Sequence, residues 1–233
     1  MNRGTQDPTM ARRTKAEAQE TREHIIDAAA LVFHRKGVSR SSLNDIAQQA
    51  GVTRGAIYWH FKNKQDVFAA MLERHRLPTE ALSQRAEDPD EEDPLDRFRD
   101  LLIDVLQRTV RDPDHRRVFE ILFYKCEFTE QTDPLMQRVR ESYLDGGDKV
   151  RRTLANAIER GQLPVTLNLD RAVTQLHVQM TGLLYTWLLL PESFDLDGEA
   201  ADFVDSYIAT LRYCPTIAGE GAHTPPGGPV SQT

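Results

Sequence analysis

Residues 42–64, SLNDIAQQAGVTRGAIYWHFKNK, constrain this chain more than any other stretch, because they predict two short helices joined by a tight turn. The Ser42 hydroxyl can accept a hydrogen bond from the backbone N–H of Asp45, and the Asp45 carboxylate can accept one in return, which is how many helices begin. Gly51 lies where that helix needs a left-handed residue to end. Thr53 can then cap the second helix.

The apolar residues of this stretch fall on the facing sides of the two helices: Leu43, Ile46, Ala47, Ala50, Ala56, Ile57 and Phe61. The remaining faces of the second helix carry Arg54, Tyr58, Trp59 and His60 instead. This spacing predicts a helix-turn-helix whose second helix is short enough to enter a DNA major groove. An ordinary helical hairpin would explain the apolar positions, but not the basic and aromatic residues on the other faces.

Residues 51–61, GVTRGAIYWHF, with Asn63 and Lys64 after them, resemble the DNA-binding signature of the TetR family of bacterial transcriptional regulators. The resemblance is dense from Thr14 to about Leu72. Within that family, five further stretches resemble the AcrR and TtgR type of multidrug-efflux repressors: RRTK at 12–15, QETR at 19–22, KCEF at 125–128, RGQLP at 160–164 and WLLLP at 187–191. The resemblance implies a regulator that pairs its last two helices with those of a second copy.

The predicted DNA-binding residues all lie between Ser42 and Lys64. Arg54 can form paired hydrogen bonds to a guanine edge, the commonest specific contact to DNA, and the small residues Gly55 and Ala56 allow a close approach. Ser42, Asn44 and Thr53 could add hydrogen bonds. By resemblance to the family, the phosphate-contacting positions are Tyr58, Trp59, His60 and Lys64. For Tyr58 and Trp59, packing against the first helix is the alternative.

The charge of the chain divides at the end of this stretch. The net charge is −7, but residues 1–64 contain 11 Lys and Arg against 6 Asp and Glu, and the remainder contains 18 against 30. A basic head on an acidic body is the asymmetry expected when only one end of a protein meets double-stranded DNA.

Helical periodicity through the rest of the chain predicts an all-α fold of about nine helices. The predicted organisation is a flexible basic arm (1–15), a three-helix helix-turn-helix head (16–64), a larger ligand-binding and dimerisation domain (65–217) and a disordered tail (218–233). The arm could reach DNA or remain a solvated tail. Pro78 predicts a stop or kink in the fourth helix, and the acidic stretch 87–94 predicts a solvated linker.

The body is predicted to enclose an apolar cavity, because its sixth helix is rich in aromatic residues and its seventh contains Gly146 and Gly147. Apolar walls would favour lipophilic ligands over phosphorylated ones. The candidate lining residues are Met71, Phe119, Phe123, Tyr143, Met180, Thr181 and Leu184. The same residues would suit a plain hydrophobic core equally well.

The sequence has no motif that predicts catalysis, a metal site or a cofactor. It contains no HExxH, no GxSxG and no glycine-rich phosphate loop, and its two cysteines, Cys126 and Cys214, are far apart. The longest apolar run is too short to span a membrane. A cytoplasmic homodimer is therefore expected, with no membrane partner.

These features favour a ligand-responsive repressor that leaves a near-palindromic operator when a lipophilic molecule binds its body. Resemblance to AcrR-type proteins implies a multidrug efflux operon as the target. Two alternatives remain: a regulator of the same fold that responds to a specific metabolite or acyl signal, and a helical small-molecule binder or enzyme whose helix-turn-helix is vestigial.

Overall fold

The computed structural model describes residues 8–126 and 133–214, and every regular element in those ranges is a helix. The predicted all-α fold is confirmed. In chain order the helices are α1 (Pro8–Lys36), α2 (Leu43–Ala50), α3 (Arg54–His60), α4 (Lys64–Glu87), α5 (Pro94–Arg111), α6 (Pro113–Glu120), α7 (Asp133–Glu159), α8 (Leu169–Leu189) and α9 (Ala200–Tyr213). A π-helical turn, Ile121–Lys125, continues α6 and is called the π-turn below.

The head is built by α1 to α3 and the first half of α4 around one apolar core. Phe33 and Phe68 are fully buried there, with their ring centroids 5.7 Å apart. Four buried residues of the body complete this core: Val118, Ile121, Cys126 and Leu135. The head therefore packs directly on α6, the π-turn and the start of α7.

The second core lies in the body, between α5, α7, α8 and α9. Phe98, Leu106 and Leu154 are its buried centre, and Trp187 closes one side. The hydroxyl of Tyr207 is buried, and it donates a hydrogen bond of 2.9 Å to the carbonyl of Ala172 on α8. This bond satisfies a polar group that would otherwise destabilise the packing of α9 on α8.

Two helix boundaries differ from those that the sequence predicts. Helix α1 begins at Pro8 rather than near Ala16, so residues 8–15 of the expected flexible arm are helical. Proline is favoured at a first helical position, and Ala, Arg, Lys, Glu and Gln are good helix formers. Residues 1–7 and the expected tail at 218–233 lie outside the described residues.

Helix α4 runs through Pro78 to Glu87, so of the expected stop or kink near Leu77 the stop is wrong. An interior proline costs about 3 kcal/mol in an isolated helix. Here the two ends of α4 are held by tertiary packing, since Phe68 and Met71 are buried in the head and Ala86 is fully buried at the other end. Packing of both ends offsets the local cost.

The predicted linker is a loop between α4 and α5, and most of its side chains are exposed. It is nevertheless fixed to the end of α7. Arg152 pairs with the Glu87 carboxylate at 2.6 Å, Asn156 donates to the Glu87 carbonyl at 2.9 Å, and Arg160 donates to the Pro89 carbonyl at 2.8 Å. These contacts hold the far end of α4 in place relative to the body.

Candidate functional site

The geometry of α2, the turn and α3 agrees with the local predictions. The Ser42 hydroxyl accepts from the backbone N–H of Asp45 at 3.1 Å, and the Asp45 carboxylate accepts from that of Ser42 at 2.9 Å. Gly51 is left-handed, with φ 64°. Thr53 caps α3 by accepting from the Ala56 N–H at 3.1 Å. The orientation of α3 is thus set by hydrogen bonds between residues close in sequence.

The Asp45 carboxylate also ties α2 to α1. Lys36 approaches it at 2.6 Å, and the hydrogen bonds from Lys36 and then Ser42 lower the pKa of Asp45 to about 2. The carboxylate is therefore ionised at neutral pH and retains both contacts.

Helix α3 buries only Ile57 and presents its other side chains outward. Trp59 is 73% exposed and Tyr58 is 53% exposed, so neither side chain is buried against α1. Arg54 and Gly55 are exposed, and Ala56 is partly exposed. Of the predicted contacts outside α3, Ser42, Asn44 and Thr53 are also exposed. Large aromatic side chains at the surface of so short a helix are available to a partner.

His60 lies at the edge of this exposed surface. Its ring meets that of Trp59 edge-on, with centroids 4.5 Å apart. Partial burial lowers the pKa of His60, and the positive charge of Arg22 lowers it further. Arg22 lies over the ring of Phe61, 5.2 Å from its centroid, so α1 braces the end of α3. The lowered pKa favours the neutral form of His60 at pH 7, in which it could contact DNA as a hydrogen-bond partner rather than as a cation.

Lys64 is engaged by the protein itself. Its ammonium donates hydrogen bonds to the carbonyls of Val38, Ser39 and Ser41, at 2.6, 3.0 and 2.8 Å. Burial lowers the pKa of Lys64, against the opposing effect of the Asp45 charge. In this geometry Lys64 joins the start of α4 to the loop between α1 and α2, so the predicted phosphate contact has no support and a positioning role fits better.

A cavity of about 290 Å³, here called the junction cavity, lies where the body meets α4. Its walls come from α4, α5, α6, the π-turn and α7, and they are mostly apolar. The lining residues are Leu72, His75, Val105, His115, Val118, Phe119, Leu122, Val139, Ser142 and Tyr143. Of the seven predicted ligand-binding residues, this cavity brings together Phe119 and Tyr143.

The other five predicted ligand residues do not line the junction cavity. Met71 is fully buried in the head core, and Leu184 is buried in the body core. Thr181 is exposed on α8, and Met180 packs against the body core. Helix α8 packs on α7 and contributes no residue to the described lining of the junction cavity. Periodicity within one helix could not show this.

Phe123 is displaced from the cavity lining by the π-turn. It still stacks on Phe119, with ring centroids 6.0 Å apart, but it also packs against Tyr185 of α8 at 5.8 Å. An α-helix would place residues four apart on one face, whereas a π-helical turn takes more residues per turn and rotates the later one away. The sequence gives no clear signal for such a turn.

Two histidines of the lining escaped the sequence prediction. His115 precedes Phe119 by one helical turn, so the same periodicity that selected Phe119 could have found it. His75 follows Met71 by one turn of α4, so the periodicity that selected Met71 could likewise have found His75. Burial lowers the pKa of both imidazoles. For His115 the pKa falls to about 4, because the nearby His75 adds to the effect of burial.

The π-turn connects the junction cavity to the head. Leu122 of the π-turn lines the cavity. Val118, near the end of α6, belongs both to the cavity wall and to the head core. The carbonyl of Lys125 accepts a hydrogen bond of 2.9 Å from the backbone N–H of Val38, in the loop that Lys64 also holds. Glu120 pairs with His34 of α1 at 2.7 Å. A ligand that displaces this segment would act on α1 and on the loop before α2.

A second cavity of about 210 Å³ lies beside the first, farther into the body. The two share Val105 and Ser142 as lining residues. Gly146, Lys149 and His177 line only the second. His177 packs against Tyr143 with ring centroids 4.0 Å apart, so these two rings lie between the cavities.

Other classes of site are not seen in the described part of the chain. Within residues 8–126 and 133–214, no group of three or more His, Cys, Asp or Glu side chains is placed to hold a metal ion. Over the same ranges, none of the helices combines the length and the apolar composition that crossing a membrane requires. Neither Cys126 nor Cys214 forms a disulfide bond.

Comparison with known proteins gives two family matches. Residues 25–71 match the model of bacterial regulatory proteins of the tetR family, and residues 93–213 match the C-terminal region of MAATS-type transcriptional repressors. The HTH-type transcriptional regulator TtgR of Pseudomonas putida is 45% identical over 208 residues, which cover 89% of this chain and 99% of TtgR. The HTH-type transcriptional regulator AcrR of Shigella flexneri is 43% identical over 210 residues, which cover 89% of this chain and 97% of AcrR.

Among solved structures, the complex of SmeT with triclosan superposes with a TM-score of 0.77 at 31% identity, covering 89% of this chain and 100% of SmeT. SmeT is described as the repressor of the Stenotrophomonas maltophilia multidrug efflux pump SmeDEF. The matches extend over head and body together, and each of these relatives is a transcriptional regulator. By its helix-turn-helix head, its helical body and this likeness along nearly its whole described length, the chain belongs to the tetR family of bacterial regulatory proteins.

Proposed function

We propose that this chain is a homodimeric repressor of a multidrug efflux operon, and that a lipophilic molecule in its body releases it from a near-palindromic operator. The observation that carries this proposal is the exposed side of α3. There Arg54, Tyr58 and Trp59 project from a helix in which Ile57 is the buried residue. Members of the family bind operator DNA and small-molecule effectors, typically as dimers.

On DNA, α3 would lie in the major groove with Arg54 on a base edge, where paired hydrogen bonds to guanine give sequence preference. Tyr58 and Trp59 would contact the flanking phosphates and sugars, with Ser42, Asn44, Thr53 and His60 adding hydrogen bonds. Lys64 would act indirectly, by holding the loop before α2. Bacterial operators lie in the cytoplasm, so we expect the repressor to be there as well.

A dimer would be formed through the outer faces of α8 and α9. Val178, Tyr185, Leu189 and Tyr213 on these helices are between 43% and 79% exposed, an apolar surface that a second copy would cover. Two copies related by a two-fold axis would place their α3 helices in successive major grooves, about 34 Å apart.

The effector would bind in the junction cavity. Its apolar walls fit a lipophilic molecule, and the complex of the related SmeT with triclosan supports a small aromatic ligand. Repression is relieved only if the ligand binds the DNA-free arrangement of the heads more tightly than the DNA-bound one. The π-turn, which contacts both the cavity and the loop before α2, is the route that we propose for this difference.

The test is fluorescence anisotropy of the full-length protein on labelled DNA from upstream of its own gene, at two salt concentrations. We expect salt-sensitive binding, and about 10-fold or greater weakening with Arg54→Ala. Arg140→Ala, which removes an exposed arginine from α7 in the body, is the matched control and should change the affinity less than about 2-fold.

Triclosan and two unrelated lipophilic drugs are then added to the preformed complex. Release by these compounds supports a drug-responsive repressor. DNA binding that none of them reverses would contradict the multidrug part of the proposal. Equal affinity of Arg54→Ala and the unsubstituted protein would contradict the DNA interface itself.

A further inference from the structure

We propose that His75 and His115 form a hydroxyl-binding subsite at the polar end of the junction cavity, which selects lipophilic effectors that carry a neutral hydroxyl group, phenols above all. This deepens the proposed function, since it takes the junction cavity as the effector site. The rest of the wall offers few other hydrogen-bonding side chains, among them Ser142 and Tyr143.

The first observation is an unmet hydrogen-bonding capacity. The Nε2 atoms of His75 and His115 are both buried, and neither has a hydrogen-bond partner among the residues that the structure describes. His115 as a whole is only 6% exposed. Buried polar atoms are nearly always paired, and an unpaired one is costly, so a nitrogen of this kind on a cavity wall indicates a partner that the cavity supplies.

The second observation is the closeness of the two rings. Their centroids are 5.9 Å apart, and the rings are inclined at 48°. A hydroxyl oxygen between two such rings could donate to one nitrogen and accept from the other, because a hydroxyl does both. A methyl ether at the same place could only accept. The pair therefore distinguishes an alcohol or phenol from its ether.

The charge state of the pair favours a neutral ligand group. His75 faces Arg74 and the carboxylates of Asp27, Asp112 and Asp114; His115 faces Arg108 and the carboxylates of Asp104 and Asp112. The depressed pKa values leave both rings uncharged at pH 7. Two neutral imidazoles each keep one donor and one acceptor nitrogen, whereas a charged pair would favour an anion.

The remaining walls select the rest of the ligand. Phe119 meets the His115 ring edge-on at 5.2 Å, and Leu72, Val118, Leu122 and Val139 complete an apolar surface around the pair. This arrangement fits an aromatic ring that carries its hydroxyl at one end. A phosphorylated or multiply charged molecule would have to bury its charge against these side chains, and the described part of the lining includes no lysine or arginine to pair with it.

The experiment measures binding of triclosan and of its O-methyl ether to the full-length protein by isothermal titration calorimetry, without DNA. The unsubstituted protein should bind the phenol about 10-fold more tightly than the ether, the effect of one to two net hydrogen bonds. In His75→Phe/His115→Phe, which keeps two aromatic rings and removes the nitrogens, the ratio should fall below about 2-fold. His177→Phe is the matched control, a half-buried histidine outside this cavity whose replacement should leave the ratio unchanged.

A second measurement uses the unsubstituted protein, so that it stands even if the double variant does not fold. Imidazole ¹⁵N spectra should show shifts of both Nε2 resonances with triclosan, but of at most one with the ether, because the ether can accept a hydrogen bond and cannot donate one. The subsite is refuted by equal affinities for the two probes, by a ratio that survives the double substitution, by absent shifts, or by failure of both probes to bind. Because no DNA is present, a failure of operator binding would contradict the proposed function and leave this result standing.

Discussion

The head and the body of this protein differ in how their sites are assembled. The exposed surface of the head comes from one unbroken stretch, residues 42–64, whose geometry is set by caps and by one left-handed glycine. The junction cavity draws its lining from four helices and the π-turn, between Leu72 and Tyr143. A site made of neighbours in sequence can be predicted from local rules, whereas a site made by packing depends on where whole helices lie.

The difference extends to what each site does when a residue is changed. In the head, the buried sides of the helices form an apolar core, and the proposed DNA-binding side of α3 is open to solvent. In the body, the proposed ligand site is internal, so the residues that are proposed to bind the ligand also pack the helices. Substitutions should therefore separate stability from function in the head and mix them around the cavity.

The largest expected effect is the loss of a head-core side chain. Phe33 is fully buried against Phe68, so Phe33→Ala should lower the free energy of unfolding by about 3–5 kcal/mol. Phe119→Ala should cost only about 1–2 kcal/mol, because one side of that ring already faces the cavity. Urea denaturation followed by circular dichroism, at one fixed protein concentration, compares the two. Equal losses would contradict the assignment of Phe119 to a cavity wall.

A smaller effect is a pH dependence that belongs to the cavity. The pKa of His115 in the folded protein is lowered to about 4, so the unfolded chain binds more protons below its ordinary value of 6.5. The folded state should thus lose stability as the pH falls from about 6.5 to about 4, by about 1–3 kcal/mol from this group.

The check compares unfolding free energies of the unsubstituted protein and His115→Phe across that pH range. The difference in unfolding free energy between the two proteins should change steeply between pH 6.5 and pH 4 and stay constant above pH 6.5. In the head, Asp45→Asn is the contrasting variant. Its carboxylate has a lowered pKa of about 2, so its contribution to stability is lost only as the pH falls from about 3.8 through about 2. A His115→Phe variant that retains the full acid sensitivity would contradict the burial of a neutral imidazole.

The smallest effects come from two glycines that should respond in opposite directions. Gly51 has φ 64°, so Gly51→Ala should destabilise the head by about 1–2 kcal/mol. Gly146 lies inside α7, and an added Cβ would meet no atom within 4 Å apart from its chain neighbours and the adjacent backbone of its own helix, so Gly146→Ala should stabilise the protein by about 0.5–1 kcal/mol. Thermal unfolding monitored by circular dichroism gives the sign of each. Loss of stability in both would mean that Gly146 is required by the packing of the body.

Prediction from the sequence succeeded where the cause is local. The cap at Ser42, the left-handed Gly51 and the exposed side of α3 follow from neighbouring residues and from helical periodicity. Prediction failed where tertiary packing prevails: Pro78 is accommodated inside α4, and Thr181 and Leu184 lie outside the cavity that they were expected to line. Phe123 failed for a third reason, the π-turn, which changes the periodicity on which its assignment depended. Lys64 was assigned to DNA by resemblance, but its ammonium is held by three backbone carbonyls.

The central claim is that the junction cavity and the α3 surface are linked, and it is tested most directly by measuring that link from the cavity side. The affinity of the protein for triclosan is determined alone and again with saturating upstream DNA. Linkage requires that DNA weaken triclosan binding by the same factor by which triclosan weakens DNA binding, expected to be about 5- to 150-fold. A triclosan affinity that DNA does not change would contradict the account.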